Sequence, residues 1–241
     1  MNKNQFAKLA ALFLLGLALM MAAKIIRKNR AKVEWNGERY DIQNVNALDA
    51  KFARPYDKDL DKLGNYIVAL ALVGAVIPSA LVFVRAKDKK SAFCDACFEG
   101  FVFVTCYLCS KGVYKILKTL AGRIRPYMYF ENPSAVGIKE FDYCRSWPSG
   151  HSAIVFFAFA FLLLWFLVWH KDSKYKMPAI FAELSLCVAT LVLRMLSGNH
   201  FLTDVLSGAA FGFATSAAVF LLATGWAAYK GQQAKLNGDG Q

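Results

Sequence analysis

Three short clusters of basic, histidine, hydroxyl and acidic side chains stand out in the sequence. Their members are Lys118 and Arg125, then Pro148, Ser149, Gly150 and His151, then Arg194, His200 and Asp204. Lysine and arginine bind phosphate oxygens, and an imidazole can transfer a proton or attack phosphorus. Each cluster lies beside an apolar run of helix length. The clusters therefore predict a phosphate-handling site at a membrane surface.

The second cluster has the composition of an anion site at the start of a helix. Proline is favoured in a first turn, so we expect a helix from Pro148 that leaves the backbone N–H groups of Ser149 and Gly150 free for an anion. Ser149 adds a hydroxyl donor, Gly150 permits close approach, and His151 could protonate a leaving oxygen. For the tetrapeptide alone, an ordinary turn with an interfacial histidine explains the sequence equally.

The third cluster pairs a histidine with an acid. His200 and Asp204 are four residues apart, so on a helix they share one face and the carboxylate can orient the imidazole. An oriented imidazole can attack phosphorus and form a phosphohistidine. Asp204 could instead act only as a favourable first-turn acid at a helix N-terminus.

Three cations complete the predicted site. Lys118, Arg125 and Arg194 could neutralise the charge that gathers on phosphoryl oxygens in the transition state, and arginine offers a two-pronged contact. Taken singly, each could be an interfacial cation whose apolar stem lies in the membrane.

The elements that must position these residues are membrane helices. Apolar residues make up 57% of the chain although it carries 29 Lys and Arg, and six segments approach the about 20 apolar residues that a span needs. The segments run from about Leu9 to Ala23, Tyr66 to Val84, Ala92 to Leu117, Pro148 to Trp169, Pro178 to Met195 and Leu202 to Tyr229. We therefore expect an all-α fold, a six-helix transmembrane bundle.

The helix count brings the three clusters to one face of the membrane. Loops after the first, third and fifth helices share a face, and all three clusters lie there. The lysine-rich loops around Lys87 and Lys174 look cytoplasmic by the positive-inside rule, whereas Lys24 to Arg30 argue the other way. The basic loops lead us to expect the site at the outer interface, facing the periplasm or exterior. A bacterial inner membrane is favoured because the chain is compact and lacks a usable N-glycosylation sequon.

A single integral membrane domain is expected over residues 1–241. Residues 1–23 hold the first helix, 24–65 an interfacial loop, 66–229 the five core helices and 230–241 a cytoplasmic tail. Residues 24–65 suit either a helix lying in the interface or a solvated connector. The first segment could also be a signal peptide, although the small-residue cleavage pattern is not met.

The three clusters resemble the motifs of the type 2 phosphatidic acid phosphatase superfamily. That family has Lys, six residues, Arg-Pro; then Pro-Ser-Gly-His; then Ser-Arg, five residues, His, three residues, Asp. Leu193 stands where the family usually has Ser, which removes one possible hydroxyl contact.

The resemblance implies a metal-independent lipid phosphatase without a cofactor. His200 would be the nucleophile, Asp204 its orienting partner and His151 the acid for the leaving group. The phosphate would be held by Lys118, Arg125, Ser149, Gly150 and Arg194. Substrates of the family include phospholipid, isoprenoid and lipid A phosphates. Headgroup contacts are expected from the loop 127–147, whose aromatic residues are equally compatible with an interfacial belt.

Two other functions remain open at the level of sequence. A non-catalytic binder or transporter of anionic lipid would keep the cations, and a lipid phosphotransferase would pass the phosphoryl group to another acceptor. The basic charge, net +12, suits anionic headgroups, and no soluble basic domain for nucleic acid is visible. Two C-x-x-C pairs, Cys94/Cys97 and Cys106/Cys109, lie along one apolar segment, so we expect no metal there. Glu183, within an apolar segment, is expected to pair with a polar group of a neighbouring helix.

Overall fold

A computed structural model describes residues 3–31 and 34–225 of the chain. Eight α-helices account for almost all of the regular structure in these ranges, with no strand among them. They are α1 (Lys3–Asn29), α2 (Ala47–Phe52), α3 (Lys58–Arg85), α4 (Lys89–Ala121), α5 (Ala135–Lys139), α6 (Gly150–Val168), α7 (Lys176–Leu196) and α8 (Leu202–Thr224). Six of them, α1, α3, α4, α6, α7 and α8, are long and apolar enough to cross a membrane, which confirms the predicted fold class.

Most spanning helices are longer than their apolar segments because charged residues cap and extend them. Asp57 accepts hydrogen bonds from the backbone N–H groups of Asp59 and Leu60, so α3 begins at Lys58 rather than near Tyr66. Asp88 caps α4 in the same way. Gly122, with a φ of 64°, ends α4 in the left-handed conformation that glycine adopts without strain.

The core of the bundle surrounds α6. Its Phe157, Phe161 and Trp165 are almost fully buried among side chains of α4 and α8. Gly208 and Gly212 of α8 let the two helices approach closely, because a side chain at Gly212 would strike the backbone of Ala153. The small-residue pattern of α8 thus serves packing within the bundle.

The described residues of 24–65 are divided among several elements. The first helix continues to Asn29, a 3₁₀ turn spans Ile42–Asn44, and α2 follows before α3 begins. Asp49 of α2 is fully buried against the start of α8. Tyr229 and the tail 230–241 lie outside the described residues.

One expectation about a buried side chain is wrong. The carboxyl atom Oε1 of Glu183 is buried without a hydrogen-bond partner among the described residues, so the expected polar pair is not formed. Glu183 instead lies against Gly74 of α3. In the loop 127–147, Tyr143 is buried and packs with Tyr127, whereas Tyr129, Phe130 and Phe141 are partly exposed, so headgroup contacts of this loop stay a prediction.

Backbone hydrogen bonds join the predicted clusters at one end of the bundle. Tyr127 N–H donates to Gly198 O at 3.0 Å, and Ser149 N–H donates to Asp204 O at 2.9 Å. Asp57, just before α3, donates through its N–H to Ser197 O at 3.2 Å. The end of α4 and the starts of α3, α6 and α8 therefore meet in one place, as the helix count predicts.

Candidate active site

His200 lies at the centre of the site, between α7 and α8. The side chain is fully buried, and its Nδ1 is 3.6 Å from Asp204 Oδ2, which is close but longer than a hydrogen bond. Neither ring nitrogen has a hydrogen-bond partner within the described ranges. A buried imidazole of this kind keeps a lone pair free for chemistry.

Asp204 has several partners besides the nearby histidine. Its Oδ2 accepts hydrogen bonds from Phe201 N–H at 2.9 Å and from the Ser146 hydroxyl. Its Oδ1 accepts from Arg123 Nη1 at 2.5 Å. Asp204 is therefore a first-turn cap of α8 and a neighbour of His200 at the same time, so the two alternative interpretations of this acid are compatible.

Arg123 and Asp49 are parts of the site that the sequence motifs do not reveal. Arg123 donates to Asp204 and, through Nη2 at 2.6 Å, to Asp49. Asp49 also accepts from the backbone N–H and the hydroxyl of Thr203, at 2.9 and 2.6 Å. Burial would raise the pKa of Asp49, but the hydrogen bonds from Thr203 and Arg123 outweigh it and lower the pKa. The ion-paired network fixes the start of α8.

Arg125 is buried, and its guanidinium group donates hydrogen bonds to several neighbouring residues. Its Nη1 donates to Asn199 Oδ1 at 2.8 Å, its Nε donates to Asp142 O at 2.9 Å, and its Nη2 pairs with the Asp142 carboxylate. Arg145 also pairs with Asp142 at 3.3 Å. Burial would raise the pKa of Asp142, but Arg125 and Lys118 lower it to about 2.

The other two predicted cations, Arg194 and Lys118, are also buried. Arg194 Nη1 donates to Asp61 Oδ1 at 2.6 Å, while Arg194 Nε has no partner in the part of the chain that the structure describes. Lys118 is only 8% exposed, near the end of α4. A buried cation with spare donors is suited to an anionic ligand.

The Pro148 to His151 cluster differs in detail from its predicted geometry. The helix α6 begins at Gly150 with Ser149 as its N-cap, and Pro148 precedes it. The N–H of Ser149 is not free for an anion, because it donates to Asp204 O. Gly150 lies against the ring of Tyr114, which a side chain at this position would meet at 2.9 Å.

His151 lies at the edge of the site, where it contacts α3. Its Nε2 is 2.7 Å from Asn65 Oδ1, so the ring donates to the amide oxygen when that nitrogen carries the proton. Asn65 is exposed and His151 is half-buried. The site therefore brings together all the residues that the sequence singles out, with His151 at its open side and His200 at its buried end.

The chain is similar in sequence to a known protein family and in structure to a solved protein. The model of the PAP2 superfamily matches residues 99–227, more than half of the chain. The chain belongs to the PAP2 superfamily. No curated protein matches it. Among solved structures, it is similar to a transmembrane PAP2 type phosphatidylglycerolphosphate phosphatase from Bacillus subtilis, at 25% identity over 91% of this chain and 95% of that chain, with a TM-score of 0.47.

Membership in the PAP2 superfamily identifies the chain as an integral membrane protein of a phosphatase family. The local electrostatics suit that chemistry. Burial, together with the charges of Lys118, Arg125 and Arg194, lowers the pKa of His200 well below its ordinary value. The imidazole is therefore neutral at pH 7, in the form that can act as a nucleophile.

Proposed function

We propose that this PAP2 protein hydrolyses the phosphate monoester or pyrophosphate of a membrane lipid without a metal ion, through a phosphohistidine. One observation carries the proposal: His200 is fully buried among the cations Lys118, Arg125 and Arg194, and its burial and these charges together lower its pKa. A protein that only bound anionic lipid would need the cations but neither a nucleophile nor an acid.

In the first step, His200 Nε2 attacks phosphorus while the bond from phosphorus to the leaving oxygen breaks. The negative charge on the phosphoryl oxygens is stabilised by Lys118, Arg125 and Arg194, with Ser149 and Gly150 forming the wall at the start of α6. His151, protonated, gives its proton to the leaving oxygen.

In the second step, water attacks the phosphohistidine and restores the enzyme. The now neutral His151 takes a proton from the water, the bond between phosphorus and Nε2 breaks, and inorganic phosphate leaves. Asp204, 3.6 Å from His200 Nδ1, supports the positive charge that develops on the ring when nitrogen attacks phosphorus. The ion pair between Asp204 and Arg123 keeps this carboxylate in place during both steps.

The site lies at one end of six spanning helices, which is where a lipid presents its phosphate. We propose an inner-membrane location with the site on the outer face. Phospholipid, isoprenoid and lipid A phosphates are the candidate substrates. The phosphate-binding residues recognise the group that these lipids share, so selection among them falls to other parts of the chain.

Phosphate release from detergent-purified protein tests the proposal. The panel contains phosphatidic acid, phosphatidylglycerol phosphate, undecaprenyl pyrophosphate and lipid A, each with EDTA present. We expect release from at least one lipid, and we expect His200→Ala to reduce it by about 10⁴-fold or more because the nucleophile is lost. Acid-labile radioactive phosphate should be trapped on wild-type protein and absent from the variant.

Lys111→Gln is a suitable control. Lys111 donates a hydrogen bond to the hydroxyl of Tyr107, which lies on α4 one helical turn further from the site. This variant should keep wild-type turnover. Release that survives His200→Ala would contradict the assignment of the nucleophile. No release from any lipid by folded protein would favour the binding or transport function.

A further inference from the structure

One face of α3 forms a wall of the site although none of its residues belongs to the three clusters. Asp61 Oδ1 accepts a hydrogen bond from Arg194 at 2.6 Å, and Asn65 Oδ1 lies 2.7 Å from His151 Nε2. Positions four apart on a helix are neighbours on its surface. Gly64 lies between them, and a side chain there would be 3.2 Å from Arg194 Nη1. The absence of a side chain at Gly64 lets Arg194 lie flat against the helix.

This wall lies on the side of the site from which the leaving group departs. His151 is the proposed acid for the leaving oxygen, and its Nε2 faces Asn65. Asn65 is exposed, whereas His200 at the other end of the site is fully buried. The part of a substrate beyond the reacting phosphate must therefore pass beside Asn65 and Asp61.

Asp61 differs from the other carboxylate that pairs with a phosphate-binding arginine. Asp142 pairs with two arginines, Arg125 and Arg145, whereas Asp61 pairs with Arg194 alone among the described residues. The backbone oxygen of each acid also accepts a hydrogen bond from its arginine, and both side chains are partly exposed. The other carboxylate oxygen of Asp61 accepts from the Tyr56 hydroxyl at 3.0 Å. The Asp61 carboxylate is thus balanced by fewer positive charges than that of Asp142, and it is partly exposed on the face of α3 that also carries Asn65.

We infer that Asp61 is a specificity-determining residue, which favours substrates with a single phosphate over pyrophosphates. The inference rests on the phosphate site proposed above. A second phosphate attached to the reacting one would bring its charge beside the Asp61 carboxylate, and like charges in a partly buried site repel each other. An uncharged leaving group, such as the hydroxyl of a glycerol or sugar, meets no such repulsion and can hydrogen-bond to Asn65.

Dissociation constants of inorganic phosphate and inorganic pyrophosphate test this inference by calorimetry on the full chain in detergent. The quantity of interest is the dissociation constant of pyrophosphate divided by the dissociation constant of phosphate. In Asp61→Asn we expect this ratio to fall by about fivefold or more, because the repulsive charge is removed while the shape is kept. Asp59→Asn, an exposed acid in the first turn of the same helix, is the matched control and should keep the wild-type ratio.

A residue that merely orients Arg194 would change both constants by the same factor. An unchanged ratio in Asp61→Asn would therefore overturn the inference, whatever happens to the two constants singly. Because both probes are inorganic, this outcome is separate from the failure of lipid turnover: the ratio can shift as expected in a protein that hydrolyses none of the lipids. Where turnover is observed, the kcat/KM of a lipid pyrophosphate relative to the matching monophosphate should rise in Asp61→Asn.

Discussion

The positive charge of Lys118 acts on His200 as well as on a bound phosphate. Burial lowers the pKa of His200 most, and Lys118 is the first of the charged groups that lower it further. Replacing Lys118 by Met removes one positive neighbour, so protonation of the imidazole becomes easier and its pKa rises toward 6.5. The neutral form of His200 should then be lost at a higher pH than in the wild-type protein.

Histidine resonances in ¹⁵N-labelled protein measure this shift directly, and the acidic limb of kcat/KM should move to higher pH in parallel. Lys111→Met is the control, because Lys111 is absent from the groups that act on His200. A His200 titration that is the same in Lys118→Met and in wild-type protein would refute the electrostatic coupling.

At the scale of elements, the closest helix contact joins α6 and α8 near the site. Gly212→Ala places a methyl group against the backbone of Ala153, so we expect a loss of about 1 to 3 kcal/mol in the free energy of unfolding. Gly100→Ala is a matched control on α4, where an added methyl group meets nothing within 4 Å. Because alanine is the better helix former, the control should be neutral or slightly stabilising.

Unfolding in mixed detergent micelles, followed by circular dichroism, compares the two alanine variants. The expected order of stability is Gly100→Ala, then wild type, then Gly212→Ala. Equal stability of both variants would show that α6 and α8 can separate without cost, which contradicts the packing described above.

The short helix α2 is tied to α8 by Asp49, which accepts two hydrogen bonds from Thr203 and pairs with Arg123 of the loop after α4. Asp49→Asn leaves Arg123 with Asp204 as its remaining carboxylate partner, and the loss of one charge-assisted hydrogen bond costs about 1.5 to 3 kcal/mol. Because Arg123 also holds Asp204, we expect the variant to lose both stability and turnover. Asp41→Asn, at an exposed 3₁₀ cap where asparagine caps as well as aspartate, should change neither. Wild-type turnover in Asp49→Asn would exclude a role of α2 in the site.

The residues of the three clusters could be predicted because their spacing along the chain is local. His200 and Asp204 are neighbours through the helix period alone, and the helix count is enough to place them near Lys118 and His151. Arg123, Asp49 and Asp61 could not be found in this way. Each is one charged residue among many in polar segments, and its partner becomes evident only when α2 and α3 are docked against α7 and α8.

For the whole molecule, we predict that the site faces the outer side of the membrane. Cysteine labelling can test this prediction. In a background with Cys94, Cys97 and Cys144 replaced by Ser, the other cysteines are buried and should not react. Glu140→Cys lies exposed on the site side, and Lys87→Cys lies exposed in the loop between α3 and α4 at the opposite end.

We expect a membrane-impermeant maleimide to label Glu140→Cys in intact cells and Lys87→Cys only after permeabilisation. The basic loops at the opposite end favour that end as cytoplasmic. The reverse pattern of labelling would place the site on the cytoplasmic face, where Lys24 to Arg30 would then also obey the positive-inside rule.

The starts of α6 and α8 are joined by two hydrogen bonds, from Ser149 N–H to Asp204 O and from the Ser146 hydroxyl to the Asp204 carboxylate. His151 and His200 are attached to these two starts, so the proposed acid and the proposed nucleophile keep a fixed relation to each other. The wall made by α3 is a separate part of the chain. We therefore expect substitutions in α3 to alter substrate choice during evolution while the proposed reaction is kept, and a chimera carrying the α3 of a relative to exchange selectivity without rebuilding the two histidines.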